Sequence, residues 1–519
     1  MEKEILLSST STEKRAVLLE DKKVVELAVE RPQQYRLLGN IYRGKIVSIL
    51  PGIQSAFVDI GQQKNVFLHA ADVDPALLLD NKDEALIERY TDRGRSSRRK
   101  VARVPIEQVL EEGQEILVQV VKEPIGNKSA KVTTQISIAG RFLVLVPDTD
   151  FIGVSKKTSD LRKRRRLKEL IAQIKPAGIG FIVRTIGLKV SETEFVNEIH
   201  SLIEAWRETQ ELALKGTGPC QVYREEAITT RVIRDMFSED VKQLLVDLES
   251  DYNEVRDYLK AAAPNLLDRV KMYKAKVPLF DKYDIEKELE RSVRRKVWLK
   301  SGGYLLIDHT EALLAIDVNT GRNVGKASLE ETIYKTNLEA VPEICRQLRL
   351  RDLGGIIVVD FIDMRRTEHR RRIEEEVRRT VRRDPTATSC TGLSKFGLME
   401  ITRKRVRPEL QELYTDVCHA CNGLGRVFSP ATVTTRIDRE LKRTGASGSK
   451  NTVTLAIHPA VAAYLHENED RMVHQLEREH DCRLEIMEDE ELDQDEFEVR
   501  RNKTDSRRKG RTGKQALAK

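Results

Sequence analysis

"SGGYLLIDHTEALLAIDVNTG", residues 301–321, reads as a β-hairpin whose second, apolar strand runs into Asp317 and Asn319. Side chains alternate along a strand, so residues two apart share a face, and this carboxylate and amide address one spot. An ionised carboxylate in an apolar setting is costly unless something compensates its charge. Further along, "GGIIVVDFIDM" (354–364) is a second apolar strand that delivers Asp360, with Asp363 close behind. Two strand-end acids on strands that could lie side by side suit a hard divalent cation such as Mg²⁺, which takes one or two carboxylates together with water and phosphate oxygens. Such a cation polarises a phosphodiester and lowers the pKa of an attacking water, while Asn319 could bond a phosphate or position that water. Lys296, Arg322, Lys326 and the helical run "RRTEHRRRIEEEVRR" (365–379) suit a polyanionic substrate. The plain alternative is that both acids are structural, because the polar edge of a sheet tolerates aspartate.

Working outward, 519 residues imply several domains. With 33% charged residues and 5% aromatic, the composition is that of a charge-rich globular protein. No apolar run is long enough to span a bilayer and "MEKEILLSST" lacks the regions of a secretory signal, so a cytoplasmic protein is expected. The net charge of +7 is modest, but basic residues cluster in "RGRSSRRK" (93–100), "RKRRRLK" (162–168) and the tail from Arg500 to Lys519. Clusters of this kind fit a polyanion partner, and equally a solvated surface or a disordered end.

Residues 36–73 are short alternating segments broken by Pro51-Gly52 and Gly61-Gln62, the pattern of a small antiparallel barrel, and "GQEILVQVVKE" (113–123) adds a strand after a long charged loop. Phe57, Phe67 and nearby Tyr42, with Lys45 and Lys122, could offer stacking platform and charge to single-stranded nucleic acid; either Phe could instead be core. Residues 129–228 form a mixed α/β domain in which Arg184 and Thr185 close an apolar strand, where guanidinium and hydroxyl could hold a terminal phosphate or make an ordinary strand-end ion pair. Residues 229–293 form a scaffold with a strand-like "AKVPLF" and a helix placing Ile285, Leu289 and Val293 on one face. Residues 429–499 suggest a small α/β domain, followed by a disordered basic tail, 500–519.

Cys418 and Cys421 form a Cys-x-x-Cys followed by Gly423 and Gly425, the knuckle-like turn of structural zinc sites. Zinc takes four ligands, no second close cysteine pair exists, and His419 lies inside the loop, so two copies sharing one zinc is the economical solution, which makes a dimer. A thiol redox pair competes, but it would open a helix of a thioredoxin-like unit, and none is evident.

"GFIVRT", "AIDVNTG", "GGIIVVDFIDM", "FGLMEITRKRVRP" and the Cys-x-x-Cys-x-Gly-x-Gly run, in this order, resemble the bacterial ribonuclease E/G family of endoribonucleases over nearly the whole chain. Without a long C-terminal extension, the chain is more similar to the ribonuclease G branch. The resemblance implies an α+β multidomain architecture: a ribonuclease-H-like scaffold in two parts (1–38 and 229–293), an OB-fold RNA-binding barrel inserted at 39–128, a 5′-phosphate sensor at 129–228, a DNase-I-like catalytic subdomain at 294–414, a zinc-link at 415–428 and the small C-terminal domain. It assigns Asp317 and Asp360 to Mg²⁺, Asn319 to the scissile phosphate, Arg184 and Thr185 to a 5′-monophosphate, Phe57, Phe67 and Lys122 to RNA grip, and Cys418 and Cys421 to a zinc shared in a homodimer that could pair into a tetramer. It further implies hydrolysis of single-stranded AU-rich RNA to 5′-phosphate and 3′-hydroxyl ends, in rRNA maturation and mRNA turnover. The loop around 80–105 looks longer than this pattern expects. A non-catalytic RNA-binding factor associated with ribosomes, or a DNA nuclease, would be the rival readings, separable by a Mg²⁺-dependent cleavage assay and by RNA–DNA competition.

Overall fold

The computed structural model describes residues 2–31, 36–74, 105–124, 129–154, 161–322, 328–443, 452–467 and 471–502. The basic run 93–100, Lys326 and the tail from residue 503 lie outside the described residues. The chain divides into two units, Met1–Tyr414 and Thr415–Lys519.

Within the first unit, the alternating segments close into a five-stranded barrel: β1 (Ile41–Leu50), β2 (Ser55–Asp59), β3 (Val66–His69), β4 (Glu115–Lys122) and β5 (Lys131–Thr133). Its order is β1-β2-β3-β5-β4, with β4 pairing back onto β1 and β3 parallel to β5. Inward residues Ile46, Val58, Leu68, Val118 and Val132 fill it. Two expectations need correction. The closing strand β5 lies beyond residue 128, where the sequence pattern ended the barrel, because three residues are too few to show alternation. Tyr42 is buried in the barrel core, so it is no surface platform.

The first strands of the chain do not pair with the barrel. Lys3–Ser9, Lys14–Glu20 and Lys23–Glu30 form an antiparallel meander, and Lys3–Ser9 pairs in parallel with Val241–Val246, which pairs with Val270–Met272. One sheet thus joins residues far apart in sequence, and everything between is inserted. "AKVPLF" is not a strand: Pro278 lacks an N–H and precedes the short helix Leu279–Lys282.

A second inserted sheet, Ile152–Val154, Ile179–Val183, Leu143–Pro147 and Ile138–Ala139, packs helices Leu161–Ile174 and Glu192–Lys215. The latter opens with a capping box between Ser191 and Glu194. The basic run 162–168 lies on the former, with Leu167 in the core and Arg165 and Arg166 exposed.

The acid-bearing sheet has six strands: β6 (Lys296–Trp298), β7 (Tyr304–His309), β8 (Leu313–Asn319), β9 (Gly355–Asp360), β10 (Thr388–Cys390) and β11 (Leu398–Arg403), in the order β6-β7-β8-β9-β11-β10. Only β8 and β9 are parallel, and the crossover between them carries α1 (Leu329–Leu350). Helices α1 and α2 (Thr367–Val381) bury Val341, Ile344, Ile373 and Val377 against one face of the sheet, onto Leu314, Ile316, Val318, Ile357 and Val359. The other face is open.

The second unit contains a three-stranded sheet, Arg483–Glu488, Thr452–Ile457 and Phe497–Asn502, with helices Pro430–Arg443, Pro459–His466 and Arg471–His480. Residues 500–502, expected in a disordered tail, end its last strand; the pairing of Thr452 with Asn502 holds them. No helix among the described residues is long and apolar enough to cross a membrane.

Candidate active site

Strand β8 buries Leu314, Ile316 and Val318 and turns Asp317 outward. This corrects the expectation of a carboxylate in an apolar setting: only one face of the strand is buried, and Asp317 and Asp360 both stand exposed on the other. The parallel register pairs Asp317 directly with Asp360, so the two acids are neighbours across adjacent strands. Asn319 donates from its side-chain Nδ2 to Asp317 Oδ2 at 2.8 Å, which fixes the amide beside the carboxylate. The Asp360 carboxyl is pushed above the usual range, first by partial burial and then by the negative charges of Asp317 and Asp363. The result is a spot of crowded negative charge that a divalent cation would relieve.

The backbone around this spot is held by groups the sequence pattern did not single out. Asn337, fully buried in α1, donates to the Ile362 carbonyl at 2.8 Å and accepts from the Ile362 N–H at 3.1 Å, clamping the chain just after Asp360. Glu330 accepts from the N–H groups of Arg365 and Arg366, fixing the next turn of that loop. Behind Asn319 the chain reverses at Gly321, whose φ of +56° suits glycine; a Cβ there would lie 2.4 Å from the Gly302 carbonyl oxygen. Neither Asn337 nor Glu330 is marked in the sequence, because the partner of each becomes visible only once the helix is packed.

The family model described as "Ribonuclease E/G family" matches residues 137–406, which span this sheet, and the model "RNase E/G, Thioredoxin-like domain" matches residues 417–502. The chain belongs to the ribonuclease E/G family. It is 36% identical to ribonuclease G of Escherichia coli (strain K12) over 92% of this chain and 95% of that protein, and 36% identical to ribonuclease G of Haemophilus influenzae over 96% and 99%. Ribonuclease E of Haemophilus influenzae is 34% identical over 96% of this chain but 52% of its own length. The thioredoxin-like match corrects the expectation that no such unit is present. Its cysteines nonetheless sit ahead of helix Pro430–Arg443, Cys421 in a turn and Cys418 just before it, and do not open that helix.

The remaining expected residues belong to the second unit, to the barrel and to the four-stranded domain. In the second unit, Cys421 is held toward the thiolate by the N–H groups of Gly425 and Gly423, with a further contribution from Cys418. Gly423 and Gly425 take positive φ values of 86° and 68°, which turn those N–H groups onto the sulfur. Among the described residues, the one group of three side chains close enough to share a metal is Asp438, Glu479 and His480. Neither the cysteine pair nor the Asp317–Asp360 pair belongs to such a group.

On the barrel, Phe57 and Phe67 are register partners with ring centroids 6.1 Å apart, edge to face. Both point away from the core and are half-buried, which decides against the core alternative. Phe67 pairs with Lys131 on β5, and Lys131 with Lys122 on β4, so a row of two rings and two lysines crosses the outer surface; Lys131 was not anticipated. In the four-stranded domain, Arg184 donates to the Gly140 carbonyl at 2.8 Å and to Asp235 Oδ1 at 2.7 Å, with Thr185 exposed beside it. The ion pair foreseen as the ordinary alternative is therefore present. It occupies only part of the guanidinium fork.

Proposed function

We propose that this endoribonuclease hydrolyses single-stranded RNA at the Asp317–Asp360 pair with Mg²⁺ as cofactor, leaving 5′-phosphate and 3′-hydroxyl ends. The observation that carries the reading is the register pairing of the two acids with the Asn319 amide bonded to one of them. Asp317 and Asp360 would hold the Mg²⁺ ion, which would supply Lewis-acid chemistry toward a phosphodiester. The chain's own residues do the positioning. Asp317 and Asp360 supply oxygen ligands, Asn319 has a second N–H left to donate to a phosphate oxygen, and Asn337 and Glu330 keep the loop beyond Asp360 from moving the carboxylate out of reach.

The other sites extend this reading. The closed barrel, with its parallel β3–β5 pairing, serves as an OB-fold on which Phe57, Phe67 and Lys122 grip RNA bases and backbone, because half-buried rings on the outer face beside lysines suit stacked single strands. Arg184 and Thr185 receive a 5′-monophosphate, which favours substrates carrying that end. The sheet joining 3–30 with 241–272 acts as a ribonuclease-H-like scaffold, and the acid-bearing sheet as a DNase-I-like subdomain. Cys418 and Cys421 give half the ligands of a structural Zn²⁺, and a second copy supplies the other half, so the protein is a homodimer. AU-rich segments of rRNA precursors and mRNA are the substrates. Purified protein incubated with one defined RNA, with Mg²⁺ and with chelator, tests the reaction: phosphorylated 5′ product ends that vanish with chelator are expected. Ends bearing a 5′-hydroxyl, or undiminished cutting under chelation, would overturn it.

A further inference from the structure

The open face of the acid-bearing sheet carries an aromatic group that the reading above does not use. Trp298, on the edge strand β6, is 55% exposed, although tryptophan is costly to leave in water. It is the register partner of Tyr304, and the two rings meet edge to face at 5.4 Å. Tyr304 is in turn the register partner of Asn319, and its ring lies beside Gly321, 3.0 Å from where a Cβ there would stand. The row therefore runs Trp298, Tyr304, Asn319 across neighbouring strands, with Asp317 bonded to the last member. Each strand step is about 5 Å, so Trp298 stands roughly 10 Å from Asn319. Lys296 completes the cluster: its Nζ lies 4.1 Å from the Trp298 ring centroid and 3.7 Å from that of Tyr304. The same edge borders a cavity of mixed charge, lined by Lys22, Arg294 and Lys300 but also by Glu20, Glu339 and Glu343.

We propose that Trp298, with Tyr304 and Lys296, is a substrate-positioning platform: a base of the single-stranded RNA next to the scissile phosphate stacks on Trp298, and Lys296 meets the adjoining phosphate. A flat ring offers its face to any base, so the platform sets the path of the strand over the acids without reading sequence. A purely structural edge cluster would need neither the exposed ring nor its alignment with Asn319. The proposal rests on the acid pair being the cleavage site, and its test separates the two.

The chain has two tryptophans, and Trp206 is 5% exposed, so RNA-dependent changes in emission report Trp298. Asp317→Asn protein is titrated with an unstructured RNA oligomer, with saturation read independently from the anisotropy of a labelled strand. Quenching of the exposed emission is expected, together with a KM raised roughly tenfold by Trp298→Leu in otherwise unaltered protein and largely preserved by Trp298→Phe. Unchanged emission at saturating RNA, or a Trp298→Leu protein with unaltered KM, overturns the platform. Quenching by RNA in an Asp317→Asn protein that still cuts would instead uphold the platform and remove the acid assignment.

Discussion

Asp317→Asn keeps the shape of the side chain and removes its charge, which lets stability and catalysis be read separately. Asp317 and Asp360 are register partners on adjacent strands, about 5 Å apart at the backbone. Two unit charges at that spacing repel by roughly 1 kcal/mol through water and about 3 kcal/mol at the effective dielectric near a protein surface. Both groups are exposed, so the smaller figure applies. The substitution should raise the unfolding free energy by about 1 kcal/mol and bring the Asp360 carboxyl back toward its ordinary range, since Asp317 is one cause of its displacement. The Asn319 amide keeps an acceptor, because an asparagine carbonyl oxygen can take the place of Asp317 Oδ2. Catalysis should move the other way. A cation ligated by one acid instead of two loses several kcal/mol of charge stabilisation, on the order of a thousandfold in rate. RNA affinity measured without Mg²⁺ should stay level or tighten slightly, because the lost charge repels phosphate. Urea unfolding, single-turnover cleavage of a labelled oligomer across a Mg²⁺ series, and anisotropy binding measure the three quantities. A variant that cuts within about tenfold of the parent with the same Mg²⁺ dependence refutes the assignment. So does a variant that unfolds more easily, because the acid would then belong to the fold.

Two further outcomes are expected. Cys418→Ser combined with Cys421→Ser should yield monomers on sedimentation and protein without zinc by metal analysis, and a dimer that persists would remove the shared-metal link. Burial above all pushes both Glu198 and Glu226 up to about 7, with the neighbouring carboxylates Glu225 and Asp235 adding to the effect at Glu226. In the unfolded chain both release their protons near the ordinary carboxylate value, so between about pH 4.5 and 7 the folded state holds more protons. The contribution of these two groups to stability is therefore fully present below that window and falls by roughly 1 kcal/mol per pH unit for each group as pH rises through it. Urea midpoints from pH 5 to 8 measure the slope, and Glu226→Gln should flatten it; a slope of opposite sign would refute the argument.

The parts legible in the sequence were those whose pattern repeats locally. Alternation showed the hairpin carrying Asp317 and Asn319, the strand carrying Asp360, and most of the barrel. It failed where a strand is too short to alternate, as at Lys131–Thr133, or where a proline sits in an apolar run, as at Pro278. Apolar content misled at "LLAIDV": Ala315 is small enough to face outward without cost, so the run looked buried on both sides when one face is open. Asn337, Glu330 and Lys131 act only through partners brought close by packing, and no spacing in the sequence marks them.

Why two acids distant in the chain should meet at all follows from strand direction. In an antiparallel pair, the end of one strand lies beside the beginning of the next, so residues that close their strands are kept apart. The β7–β8 hairpin shows this: Asn319 near the end of β8 faces Tyr304 at the start of β7. The β8–β9 pair is the one parallel pairing in the sheet, and it sets Asp317 and Asp360 side by side at their carboxyl ends. A parallel pairing requires a long crossover, and α1 supplies it while packing on the buried face. Ligand sites in open sheets gather at such carboxyl ends because the chain departs there and leaves the edge accessible. The same helix carries Glu330 and Asn337, which bind the loop after Asp360. The element that makes the parallel pairing possible thus also fixes the acid it delivers, and loosening α1 at Asn337 should weaken catalysis without touching either carboxylate.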